Sequence, residues 1–298
     1  MVYLAVFPHS CPSIPVRLTG PNQSSKSLTM ATRVIPSLKG PYEVVKPSAK
    51  HTATVIFLHG LGDSGSGWLA IVKMIKDELP HVKWLLPNAP SRSITANRGF
   101  VMPGWFDLPA WDLGNKQEDR DGMLDSARTI DKYIQDEVNA GIPSERIVVG
   151  GFSQGGTMAL LAGLTARGED GLFGGKYGWK LGGVAVLSGW MPLSDAFPKM
   201  VSPHLVTTPI LVSHGTADTV VPHSLGQRTS RILTNDLGVP ALEDLTLSQR
   251  IPPSGYSPGE GKLGAPGLSF RSYRSAGHEA CEQTLEDLKQ FLMRVLLQ

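Results

Sequence analysis

The stretch Arg146-Ile-Val-Val-Gly-Gly-Phe-Ser-Gln-Gly-Gly-Thr157 decides how the rest of the chain is read. Residues 147–149 are a β-branched apolar run, read as a buried strand, and Thr157-Met-Ala-Leu-Leu-Ala-Gly-Leu164 reads as helix. Between them Gly151-Phe-Ser-Gln-Gly155 fits G-x-S-x-G, the sharp turn that lifts a nucleophilic serine out of a strand end. A serine in such a turn takes strained backbone angles, and side chains on either flank would collide there, so glycines are needed. The helix N-terminus just after it favours negative charge developing near the serine oxygen. A pentapeptide can arise by chance, as a Gly-rich turn with an incidental serine. The strand before it and the helix after it are what give the motif weight.

Outward from this turn the chain alternates strand and helix. Residues 42–45 read as a short edge strand and 53–58 as a buried one, followed by the Gly-rich loop 59–67. Trp68, Ile71, Val72, Ile75 and Leu79 lie at helical spacing, and Pro80 stops that helix. A strand at 82–86 leads into a long loop, 88–115, that carries Pro, Gly and Trp. Residues 117–141 read as a helix with Leu124, Ala127, Ile130, Ile134 and Val138 on one face. Further strands are expected at 181–187, 208–213 and 268–273, a helix at 224–237, and a terminal helix with Leu285, Leu288, Leu292 and Val295 inward. Repeated β-α alternation with near-continuous apolar strands predicts a mainly parallel sheet with helices on both faces.

At 298 residues and 41% hydrophobic, one α/β domain at 41–298 is the simplest count. Residues 1–40 carry Arg17, Lys26, Arg33 and Lys39 and no acid, and are expected to be a disordered N-terminal extension. Without those four, 24 basic residues face 26 acidic ones, so no basic face is implied and nucleic acid is not expected as a partner. Cys11 and Cys281 make no disulfide framework, which fits a reducing cytosol. The segment 248–267, rich in Pro and Gly, reads as a surface loop insert, and 167–180 reads the same way.

A serine hydroxyl is a weak nucleophile and needs a base. Serine elbows of this kind are followed in chain order by an acid and then a histidine. His278, in Ser275-Ala-Gly-His-Glu279 between the last strand and the last helix, can reach back to Ser153; the bland reading is a helix cap or surface histidine. Asp218, in Val212-Ser-His-Gly-Thr-Ala-Asp-Thr-Val-Val-Pro222, follows the preceding long strand and would fix the tautomer of His278; the bland reading is a turn cap. Deprotonation of His278, near its ordinary value of about 6.5, would then set the acid side of the pH profile. Two backbone donors are needed for the tetrahedral oxyanion. The N–H groups of Gln154 and of Leu61, in the loop after the first long strand, are expected to supply them. His59 and Asp63 read as loop braces. No Lys-Ser/Thr follows the glycines, as a phosphate-cradling loop would require, and no metal-ligand spacing occurs; no cofactor and no metal are expected.

His59-Gly-Leu-Gly-Asp63, Met102-Pro-Gly-Trp-Phe-Asp107, Gly141-Ile-Pro-Ser144 with Arg146, Gly150-Gly-Phe-Ser-Gln-Gly-Gly156, Leu187-Ser-Gly-Trp190 and His214-Gly-x-x-Asp218 together resemble the acyl-protein thioesterase family. That family belongs to the phospholipase/carboxylesterase group of α/β-hydrolases, and the resemblance runs from about His51 to the C-terminus. It implies an α/β-hydrolase fold and a serine hydrolase that removes palmitoyl groups from protein cysteines. Ser153, Asp218 and His278 match the family's triad, and Leu61 and Gln154 its oxyanion hole. It also implies S-acylated proteins and lysophospholipids as substrates, at most peripheral membrane contact, a monomer or weak homodimer, and a cytoplasmic location with the nucleus as a second compartment. The tail and the 248–267 insert are extra to the family's compact pattern, and Val2 stands where some members carry an acylated cysteine.

A long acyl chain needs an apolar channel. The loop 94–111 supplies Phe100, Val101, Met102, Trp105, Phe106, Leu108 and Trp111, more apolar residues than a solvated loop carries. Two readings stand: the loop folds over the site, with Met102, Trp105, Phe106 and also Trp190 as substrate-binding residues, or these side chains pin a long loop to the core. The rival activities are a carboxylesterase or lysophospholipase acting on oxygen esters, and a non-catalytic ligand-binding scaffold.

Overall fold

The computed structural model describes residues 42–113, 117–169, 173–242 and 264–296. The N-terminal extension and residues 248–263 of the insert lie outside the described residues. The strands are β1 (Tyr42–Val45), β2 (Ala53–Leu58), β3 (Val82–Pro87), β4 (Ser91–Ile94), β5 (Phe100–Pro103), β6 (Ile147–Phe152), β7 (Gly183–Leu187), β8 (Pro209–Gly215) and β9 (Gly267–Tyr273). The main α-helices are α1 (Leu69–Ile75), α2 (Arg120–Asn139), α3 (Gln154–Leu164), α4 (His223–Arg231) and α5 (Glu282–Leu296). Seven strands form one sheet in the order β1-β3-β2-β6-β7-β8-β9, with β1 antiparallel to β3 and every other pairing parallel.

This order has one switch point. After β2 the chain goes to β3 on one side, and after β6 it goes to β7 on the other, although β2 and β6 are neighbours. The loops leaving their carboxyl ends therefore diverge and open a crevice, the usual ligand position in such sheets. Both the Gly-rich loop and the serine turn leave the sheet at that crevice.

The strands are apolar on both faces because both are covered. Alternate residues separate into two clusters. Ile56, Leu58, Val149 and Val186 pack with α2 and α3, while Val55, Phe57, Val148 and Leu187 pack with α1 and α5. Burying a side chain such as Phe57 or Ile56 contributes about 1.5–3 kcal/mol. Helix α2 begins three residues later than the periodicity predicts, because the Asp119 side chain accepts the backbone N–H of Gly122 and caps it there. Helix α5 buries Thr284, Leu288, Phe291, Leu292 and Leu296; Leu285 and Val295, expected inward, sit half-buried at its flank.

One expectation needed correction. Segment 88–115 is not simple loop: it holds the antiparallel hairpin β4–β5, reversed by Arg98 and Gly99, both in left-handed backbone (φ 56 and 77). Four-residue strands with little alternation leave too weak a pattern to read. The helix expected at 224–237 is present, with α4 passing directly into a π-turn at Ile232–Asp236. Among the described residues no helix is long and apolar enough to cross a membrane.

Candidate active site

Ser153 has φ 55 and ψ −120, a conformation that L-residues avoid. It persists because both flanks are fixed. Its N–H donates to Leu187 O at 2.8 Å, and its carbonyl accepts Thr157 N at 3.0 Å as the first turn of α3 forms. The glycines of the turn are demanded by close approach. A Cβ on Gly151 would lie 2.4 Å from the carbonyl carbon of Gly155, and one on Gly155 would lie 2.2 Å from Leu58 O. The turn is thus pressed against the end of β2.

His278 Nε2 lies 2.9 Å from Ser153 Oγ, and its Nδ1 lies 2.6 Å from Asp218 Oδ2. The His278 ring also packs on Phe152, centroid to centroid 4.8 Å. The two loops that carry the acid and the base are tied together. Thr216 N donates to Tyr273 O and Ala217 N to Ala276 O, both at 2.9 Å, while Ser275 N donates to Thr216 Oγ1 at 3.0 Å. A Cβ on Gly215 would sit 2.3 Å from Ala276 O, so a larger residue at the end of β8 would push the histidine loop away.

Asp218 is a fully used acceptor. Its Oδ1 accepts Val220 N at 2.9 Å and Val221 N at 2.8 Å, and its Oδ2 faces His278 and, at 3.4 Å, His214 Nε2. Burial opposes its ionisation. Hydrogen bonds from His214 and His278, the charge of His278 and the Val221 N–H outweigh that burial and hold the carboxyl far below the ordinary carboxylate range. An imidazole flanked by a fixed carboxylate and a serine hydroxyl can take the hydroxyl proton and hold it.

The Gly-rich loop meets the serine edge-on: a Cβ on Gly60 would lie 3.4 Å from Ser153 Cβ. The loop is anchored by Gly62 N to Pro103 O at 2.8 Å and by Gly65 N to Asn88 Oδ1 at 2.8 Å. His59 braces it from below, as the sequence suggests, accepting Ala89 N on Nε2 at 3.0 Å and donating from Nδ1 to Gly60 O at 2.7 Å. Burial pushes its pKa down to about 4, against the smaller opposite effect of the Gly60 carbonyl, so the ring is neutral. Leu61 and Gln154, the two expected oxyanion donors, are on either side of this junction. Gln154 is the first residue of α3, whose leading N–H groups have no partner inside the helix.

The expected substrate-binding residues divide. Trp105 is 1% exposed, and its indole N–H donates to His59 O at 2.8 Å, so this side chain pins the loop to the core. Phe100 and Val101 are each 55% exposed on β5 and do not fold over the site. Met102 lies half-buried beside Gly62. Phe106 meets the Trp190 ring edge-on at 5.9 Å, and both line a small cavity beneath 107–113. Trp190 also walls a larger cavity of about 210 Å³ with a mixed lining, Leu113, Leu193 and Leu225 beside the charged Glu118, Arg120 and Arg228. A role that sequence reasoning missed belongs to the Gln154 side chain. Its Oε1 accepts Trp105 N at 2.7 Å and its Nε2 donates to Phe106 O at 2.8 Å. Among the described residues no group of three or more His, Cys, Asp or Glu is placed to hold a metal ion.

A family profile described as Phospholipase/Carboxylesterase matches residues 39–254. Acyl-protein thioesterase 1 of Cryptococcus neoformans is 42% identical over 254 residues, covering 85% of this chain and 96% of the relative. The Schizosaccharomyces pombe protein of the same name is 41% identical over 200 residues, covering 67% of this chain and 84% of the relative. A crystal structure of Zea mays acyl-protein thioesterase 2 superposes with a TM-score of 0.67 at 31% identity, covering 86% of this chain and 99% of that one.

Proposed function

The chain belongs to the phospholipase/carboxylesterase family of α/β-hydrolases, and on that premise we propose that it is a serine hydrolase that cleaves fatty-acyl thioesters from S-acylated protein cysteines. The observation that carries the reading is the continuous line of hydrogen bonds from Asp218 Oδ2 through His278 to Ser153 Oγ. The substrate class is supported by the names of the relatives, each an acyl-protein thioesterase.

In the proposed reaction His278 Nε2 takes the Ser153 hydroxyl proton as Oγ attacks the thioester carbonyl carbon. The N–H groups of Gln154 and Leu61 hold the oxyanion of the tetrahedral intermediate. Its collapse breaks the C–S bond, and the departing sulfur takes the proton from His278. Water then gives a proton to the same nitrogen and attacks the acyl-serine, and the fatty acid leaves as Ser153 recovers its proton. Asp218, held ionised, keeps Nδ1–H of His278 pointed at itself throughout and stabilises the imidazolium.

The acyl chain is taken to run along Phe106 and Trp190, on the side of the elbow where β7 ends. The test is kcat/KM on S-palmitoyl and S-acetyl peptide thioesters, with Ser153→Ala as the blank. A long-chain preference that disappears in Ser153→Ala supports the reading. Preference for short chains or for oxygen esters would turn it into a general carboxylesterase, and unchanged turnover in Ser153→Ala would end it.

A further inference from the structure

His214 lies on β8, the strand that leads to Asp218. The structure gives it a specific contact. It is the next-to-last residue of β8, and its side chain and that of Asp218 are both fully buried. Its Nε2 lies 2.7 Å from Val221 O, and a carbonyl only accepts, so Nε2 carries the hydrogen. The same nitrogen lies 3.4 Å from Asp218 Oδ2, the oxygen that also receives His278 Nδ1–H.

The other ring nitrogen has no such partner. His214 Nδ1 is buried without a hydrogen bond among the described residues, and it faces Gly226 of α4, where a Cβ would lie 2.5 Å away. The Nε2 hydrogen is given to Val221 O and faces Asp218 Oδ2 at 3.4 Å. A leucine would fill most of the volume without offering a donor. What the imidazole adds is a donor for an oxygen already engaged by the base, tied to the turn that carries the acid.

We propose that His214 is a positioning residue for the reaction, a second donor that fixes Asp218 on His278 and limits how strongly Asp218 binds the imidazolium proton. This rests on the serine-hydrolase reading above. The titratable groups gathered at the point are Asp218 on the turn after β8, His278 on the loop after β9, His214 on β8 and His223 on α4. The His223 ring stands edge-on to His214 at 5.7 Å and is held by Ser272 Oγ at 2.8 Å.

Removing the donor leaves Asp218 Oδ2 to His278 alone, so the imidazolium is bound more strongly and gives up its proton at higher pH. The test is the pH profile of kcat and kcat/KM for His214→Phe and His214→Leu, which lack a donor, and for His214→Gln, whose amide restores one. The donorless variants should lose kcat about tenfold or more with KM little changed, the worth of a hydrogen bond to a charged group. The acid limb of kcat/KM should move up by about half a pH unit or more, and His214→Gln should recover most of both. His223→Gln, with no contact to Asp218, should keep the wild-type limb. Wild-type kcat and limb in the donorless variants would overturn the proposal, and so would a loss of activity with an unmoved limb that His214→Gln does not repair. If neither donorless variant folds, His214→Gln decides alone: near-wild-type kcat and limb support the proposal, and a loss as deep as that of His278→Ala overturns it. Retained hydrolysis in Ser153→Ala would instead overturn the underlying reading, so the two failures are told apart.

Discussion

Gln154 Oε1 accepts the backbone N–H of Trp105 at 2.7 Å, which joins the first residue after the candidate nucleophile to a loop forty-nine residues earlier in the chain. The same amide donates to Phe106 O, and Ser126 Oγ holds the Trp105 carbonyl from α2. One side chain therefore sets both the helix start behind Ser153 and the loop beside it. Gln154→Glu keeps the acceptor but sets a carboxylate oxygen against Phe106 O, a buried mismatch that costs about 1–3 kcal/mol. The expected outcome is a lower urea midpoint and a kcat loss larger on long-chain than on acetyl thioesters. Equal losses on both would separate the clasp from the acyl path.

Of the two tryptophans expected to bind substrate, Trp190 lines a cavity with Phe106 while Trp105 is buried in the core. Trp190→Ala should raise KM or lower kcat/KM on palmitoyl thioesters more than on acetyl ones, by about tenfold or more given the apolar area removed. Trp105→Ala should instead lower stability by about 3–5 kcal/mol, because it empties a buried site and leaves His59 O unpaired. Thermal melts with the two-substrate assay distinguish the two roles.

The neutral, buried His59 makes stability depend on pH. Its folded pKa of about 4 lies below the ordinary 6.5, so above pH 6.5 the group is neutral folded or unfolded and contributes no pH dependence. As pH falls from 6.5 to about 4 only the unfolded chain takes up the proton, and stability drops by about 3 kcal/mol. Below that both states bind it and the loss stops growing. Burial shifts His51 and His223 in the same direction and several carboxyls in the other, so the quantity to read is a difference. Urea unfolding of wild type and His59→Gln across this window should converge toward low pH; parallel curves would contradict the assignment.

Gly155→Ala places a methyl group 2.2 Å from Leu58 O, with backbone on both sides and no flexible atom to yield. It should cost about 3 kcal/mol or more, or prevent folding. Gly277→Ala, next to His278 but with nothing within 4 Å, should melt within a few degrees of wild type. Comparable losses in both would mean that loop entropy, not contact, is what the glycines provide.

Much of this was legible in the chain because the physics was local. The strand-turn-helix around Ser153 and the doubly covered sheet follow from apolar runs and glycine placement, and Asp218 and His278 from their places after strand ends together with the chain order that serine elbows carry. The fates of Trp105, Phe100 and Val101 did not, because an apolar loop looks the same whether its rings point inward, toward a channel or into solvent. The partners of Gln154 and His214 lie in other segments, at Trp105 and Phe106 and at Asp218 and Val221, and no spacing rule aims one side chain at another across the fold. His214-Gly-x-x-Asp218 did stand out as a motif, yet its meaning needed the distance between Nε2 and Oδ2.

The most direct measurement is to trap the acyl-enzyme. The protein is mixed with an S-palmitoyl peptide thioester, quenched in acid within the first turnovers, and mapped by mass spectrometry of its peptides. The account predicts one palmitoyl ester, on the peptide carrying Ser153, that accumulates and decays with turnover and is absent from Ser153→Ala. Turnover with no acyl adduct on that peptide, or an adduct on another residue that survives Ser153→Ala, would contradict it.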